Sequence, residues 1–97
     1  MRSLSQGDIA AAARVLLTRP EAERAGLMRW MLVEAHAADC YRRRHGRVHP
    51  GLGNGTLMAA ALARGGGTAP AAGERALLCA MAEVIDGVLD WHAARGR

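Results

Sequence analysis

Tyr41-Arg42-Arg43-Arg44-His45-Gly46-Arg47-Val48-His49-Pro50-Gly51-Leu52-Gly53-Asn54-Gly55-Thr56 is the longest break in an otherwise helical pattern. It carries the densest charge in the chain and two of its four histidines. Gly46 is placed to stop a helix arriving from upstream, and Asn54 or Thr56 to cap one leaving downstream. The stretch therefore reads as a Gly-rich basic loop between two helices, and the remainder as scaffold.

Upstream, Thr18-Arg19-Pro20-Glu21 gives a start signal, with Thr18 and Glu21 spaced to cap each other's amides and Pro20 tolerated in the first turn. The helix it opens runs over 20–44. At about 100° per residue, Leu27, Trp30, Met31, Ala35, Ala38 and Tyr41 share one side, and Arg29, His36, Asp39 and Arg43 the other. Glu34 falls within the apolar side, where a carboxylate needs a partner or a proton. Gly26 is a candidate bend. Before this helix, Ser5-Gln6-Gly7-Asp8 fits a capping box, and Ile9, Ala13 and Leu16 follow at helical spacing, which predicts a first helix over 6–17.

Downstream, the run from Leu57 to Ala63 is apolar all round, which predicts a third helix over 56–64 at the centre of the fold. Gly65-Gly66-Gly67-Thr68-Ala69-Pro70 reverses the chain. A fourth helix over 71–94 carries Leu77, Met81, Val84, Val88 and Trp91 as a packing seam, widened by Leu78, Ile85 and Leu89. Cys79 falls on its polar face and His92 on its apolar one. The expected fold is all-α, a single domain over 1–97 with about four helices bundled around a small-residue core.

Composition agrees. The chain has 97 residues, 51% of them apolar, with no Phe and many Ala. Ala favours helix, and little is present to build strands. A chain of this length buries roughly 60% of its unfolded surface, which is enough for one modest core. All thirteen basic residues are Arg, which excludes lysine chemistry such as Schiff bases and phosphate-loop lysines. The +4 charge permits an anionic partner without demanding one. Two cysteines, Cys40 and Cys79, make no disulfide framework. No apolar signal core or bilayer-length run is present, so the expected setting is the bacterial cytoplasm.

Candidate sites follow from the loop. Arg43, Arg47, His49, Asn54, Gly55 and Thr56 can be read as an anion or partner site, with arginine forks and backbone amides at a helix start. Against this, Arg42, Arg43 and Arg44 complement a negative helix end, and three successive helical residues point about 100° apart. His36, Cys40, His45 and His49 are metal-ligand types but match no zinc spacing, so no metal and no cofactor is expected. Glu34 and His92 could meet as a buried polar pair. The more ordinary outcome is pairing of Glu34 with a nearby arginine. In so short a chain, the wide apolar face of helix 71–94 also suits a homodimer.

The segments Gly7-Asp8-Ile9, Ala10-Ala11-Ala12-Ala13-Arg14, Glu34-Ala35, Ala38-Asp39, Tyr41 to Arg47, His49-Pro50 and Gly53 to Leu62 resemble a family of small uncharacterised bacterial helical proteins, a domain of unknown function. The resemblance covers about two thirds of the chain. It implies a small helical domain and adds no catalytic residue. The favoured reading is a non-enzymatic interaction module that binds a protein or anionic partner through the basic loop 42–56. A small nucleic-acid-binding or regulatory protein comes second, and a small enzyme using Glu34 with His92 or His49 third.

Overall fold

Ser5 opens the first helix with a complete capping box: its hydroxyl accepts the Asp8 amide, and the Asp8 carboxylate accepts the Ser5 amide at 2.6 Å. The computed structural model describes residues 1–65 and 73–95. Among these residues it holds four helices and no strand: α1 Gln6–Leu16, α2 Glu21–His45, α3 Leu57–Ala63 and α4 Glu74–Ala94. The sequence boundaries agree to within about three residues, and positions 71 and 72 of the expected fourth helix lie outside the described residues.

The central helix is α1, not α3. Ala11, Ala12, Ala13, Val15 and Leu16 are all buried, and α1, like α2, packs on each of the other three helices, whereas α3 packs on α1 and α2 but not on α4 among the described residues. The reason is width. An alanine-rich helix is thin enough for three neighbours to approach it closely, and two short turns of α3 cannot separate the long helices. α3 buries Leu57, Ala60 and Ala61 and leaves Leu62 exposed.

The core joins Leu16 with Met28, Met31 and Leu32 of α2, Leu57 of α3, and Ala80, Val84 and Val88 of α4. Each fully buried large side chain contributes roughly 2 kcal/mol by leaving water. Leu77, Met81 and Trp91 pack against this cluster, so the fourth-helix seam is internal. Leu78, Ile85 and Leu89 do not widen it; they are exposed on the outside of α4. Gly87 lets α2 and α4 come close, since a Cβ there would lie 2.6 Å from Met28 Cγ. Arg24 bridges the same two helices to Glu83 at 3.3 Å.

Three further details of α2 differ from expectation. Pro20 is the N-cap and no side chain caps the helix; the Thr18 hydroxyl instead donates to the Val15 carbonyl at 2.6 Å, closing the end of α1. Gly26 neither splits nor ends the helix. The projection also misassigns two residues: Trp30 is 63% exposed, and Asp39 is 1% exposed. The buried arc of α2 is centred on Ala35 and takes in Asp39 between Met28 and Leu32, while Trp30 falls outside it. Gly46 does stop α2, in the left-handed conformation at φ 70°, with its amide on the Arg42 carbonyl at 2.8 Å.

Candidate functional site

The basic loop is built on Asp39. The Asp39 carboxylate is held by Arg42 at 2.9 Å, by Arg43 at 3.1 Å and by the Met1 α-amino group at 3.4 Å. Burial alone would raise its pKa. The bond from Arg42, the charge and bond of the α-amino group and the charge of Arg43 outweigh burial and hold the carboxyl below its ordinary value. The spacing was legible in the sequence, since Arg42 and Arg43 stand three and four residues after Asp39, the ion-pair positions of a helix.

Gly55 packs directly on this residue. Its φ is 90°, and a Cβ there would lie 2.8 Å from both Cα and Cβ of Asp39. Its carbonyl accepts the Arg2 amide at 2.9 Å, so the N-terminal segment, the end of α2 and the loop are tied together around one carboxylate. The Asp39–Arg42 interaction leaves the buried Arg42 Nε without a hydrogen-bond partner among the described residues.

The loop is internally bonded. His49 and Gly53 exchange backbone hydrogen bonds at 3.2 and 3.3 Å, and His49 Nδ1 accepts the amides of Gly51 and Leu52, both at 2.9 Å. Two donors on one nitrogen require its lone pair, which places the ring proton on Nε2. Tyr41 lies between the rings of His45 and His49, with centroids 4.3 and 4.7 Å away. His49 is therefore a structural member of the turn.

Three of the amides at the start of α3 are already bonded within the chain. Asn54 Oδ1 accepts the Thr56 amide at 3.1 Å, the Thr56 hydroxyl accepts the Ala59 amide at 3.1 Å, and Asp8 Oδ1 accepts the Met58 amide at 2.7 Å. A side-chain carboxylate already sits where an anion would be drawn. Asn54 and Thr56 face an open recess shared with Arg2, Ser3, Ser5 and Asp8. Arg43 lines a different, small recess with Met1, His36, Trp91, His92 and Arg95. Arg43 therefore lines a different recess from Asn54 and Thr56, with Gly55 buried between the loop and α2.

The other candidate groups also separate. Glu34 binds Arg64 Nε at 2.8 Å, and both side chains are about one third exposed; among the described residues no bond joins Glu34 to His92. His36 Nε2 lies 3.6 Å from Cys40 Sγ. The described residues contain no group of three or more His, Cys, Asp or Glu side chains arranged to hold a metal ion. Both cysteines are free and exposed.

Arg44 and Arg47 are left outside the Asp39 cluster. Both are exposed, and among the described residues neither forms an ion pair. Val48, beside Arg47, is 55% exposed. α2 spans roughly 37 Å at 1.5 Å per residue, close to the 41 Å length of the fold. Its acidic start at Glu21 and Glu23 and its basic end therefore lie at opposite poles.

No helix among the described residues is long and apolar enough to cross a membrane. No curated protein and no solved structure matches the chain. Residues 2–88, which include every residue of the Asp39 cluster except Met1, match DUF7742, a domain of unknown function, and the chain belongs to that family.

Proposed function

We propose that this domain is a non-enzymatic interaction module whose basic pole docks an acidic segment of a partner protein. The observation that carries the reading is the pair Arg44 and Arg47, exposed and without a carboxylate among the described residues. Arg42 and Arg43, by contrast, are held on Asp39. A guanidinium offers two parallel donors to a carboxylate, so Arg44 on the last turn of α2 and Arg47 on the internally bonded loop that follows form a preorganised docking site for acidic side chains. Val48 adds an apolar contact beside them, which suits a protein partner better than a phosphate backbone.

The test is fluorescence anisotropy with a labelled Glu-rich peptide at low salt. Binding is expected, weakening as salt rises. The double variant Arg44→Ala/Arg47→Ala is expected to bind about tenfold more weakly, roughly 1.4 kcal/mol, while Arg14→Ala on the exposed side of α1 binds like the parent. No binding at low salt, or equal binding by the double variant, contradicts the proposal. Tighter binding of duplex DNA than of the peptide moves the reading to nucleic acid.

A further inference from the structure

We infer that the outward face of α4 pairs with α4 of a second copy of this chain, antiparallel, about a twofold axis at the level between Glu83 and Val84. Leu78, Ile85 and Leu89 are 56%, 43% and 60% exposed. Together with the exposed Ala82 they form one stripe on the side of α4 away from the core formed by Ala80, Val84 and Val88. The stripe runs along a helix of about 31 Å, and nothing in the described part of the chain covers it.

The spacing of the stripe identifies its occupant. From Leu78 to Ala82, Ile85 and Leu89 the steps are four, three and four residues, the alternation of a coiled-coil seam. The order reads the same in both directions. In an antiparallel pair Leu78 meets the partner's Leu89, and Ala82 meets the partner's Ile85, so each layer sets large on large or small on large. A parallel pair would stack Ala82 on the partner's Ala82 and leave a hole in the seam.

Charge selects the same arrangement. Arg75 stands before the stripe, Asp86 flanks it, and Asp90 follows Leu89 on the side turned toward α2. Antiparallel pairing brings Arg75 to within two residues, about 3 Å along the axis, of the partner's Asp90, and the twofold axis makes this contact twice. Parallel pairing would set Arg75 beside the partner's Arg75, which is repulsive.

Sedimentation equilibrium on the full chain is expected to show a monomer–dimer equilibrium. Leu89→Glu is expected to be monomeric with unchanged helical circular dichroism, because the side chain is outside the core. Arg75→Asp and Asp90→Arg are each expected to weaken the dimer several-fold, and the double variant to restore it. Spin labels at Glu74→Cys, with Cys40→Ser and Cys79→Ser, are expected about 28 Å apart in the antiparallel dimer, against about 10 Å in a parallel one. A monomer at about 1 mM, a dimer unaffected by Leu89→Glu, or the short label distance overturns the inference. The Glu-rich peptide experiment reads a separate surface and stands or falls independently.

Discussion

Asp8 accepts the backbone amide of Met58 at 2.7 Å, joining two residues fifty positions apart. The same carboxylate closes the capping box of α1 through Ser5. One side chain therefore satisfies the starts of two helices, α1 directly and α3 across the fold, and fixes where the loop 46–56 ends. Asp8 is buried, so water cannot readily take its place.

Asp8→Ala is expected to destabilise the fold by about 2–3 kcal/mol. That figure adds the loss of one helix cap, about 1 kcal/mol, to the exposure of an unpaired buried amide at α3, about 1–2 kcal/mol. Urea unfolding measures it. Ser5→Ala removes only part of the α1 cap and should cost less than half as much.

Asp39 predicts the acid response. Its folded-state pKa is held below the ordinary value, so its ionised form stabilises the fold above the ordinary carboxylate range, and that stabilisation is lost as pH falls below ~4 toward the folded-state pKa. Asp39→Asn removes the carboxylate that Arg42, Arg43 and the α-amino group share and leaves those three cations together. A loss on the order of 3 kcal/mol at neutral pH is expected, with a flatter decline in stability below pH ~4 than the parent. Thermal melts across that range distinguish the two curves.

Two glycines separate conformational strain from crowding. Gly46 and Gly55 both have positive φ, but a Cβ on Gly46 meets nothing within 4 Å, while one on Gly55 meets the Asp39 backbone. Gly46→Ala should cost about 1 kcal/mol, the left-handed penalty alone. Gly55→Ala should cost clearly more and should also release the Arg2 amide from the Gly55 carbonyl, visible as faster hydrogen exchange at Arg2.

Glu34→Gln tests the environment of Glu34, which pairs with an arginine as the sequence suggests but is less buried than its place on the apolar side implies. A carboxylate in the middle of the apolar face would give a large change in melting temperature. A pair with Arg64 that is about one third exposed predicts at most about 0.5 kcal/mol, reduced further by salt.

The helices and most of their ends were legible because capping and periodicity are local. Ser5 and Asp8, Gly46, and Thr56 each act within a few residues of themselves. Asp39 was not legible as a buried group, although its i+3 and i+4 arginines were plain, because its burial depends on Gly55 and the N-terminal segment arriving from elsewhere in the chain. The centrality of α1 was hidden for the same reason: an alanine run says how closely neighbours can approach, not how many do. The contact at the start of α3 was hidden in the same way, since only the folded chain brings Asp8 to the Met58 amide.

The basic pole is tested most directly by a backbone amide NMR titration of the full chain with a Glu-rich peptide at low salt. The account predicts saturable shifts confined to residues around Arg44, Arg47 and Val48, absent in Arg44→Ala/Arg47→Ala. Shifts centred instead on the recess of Asn54 and Thr56, or spread evenly over every exposed arginine, would contradict it.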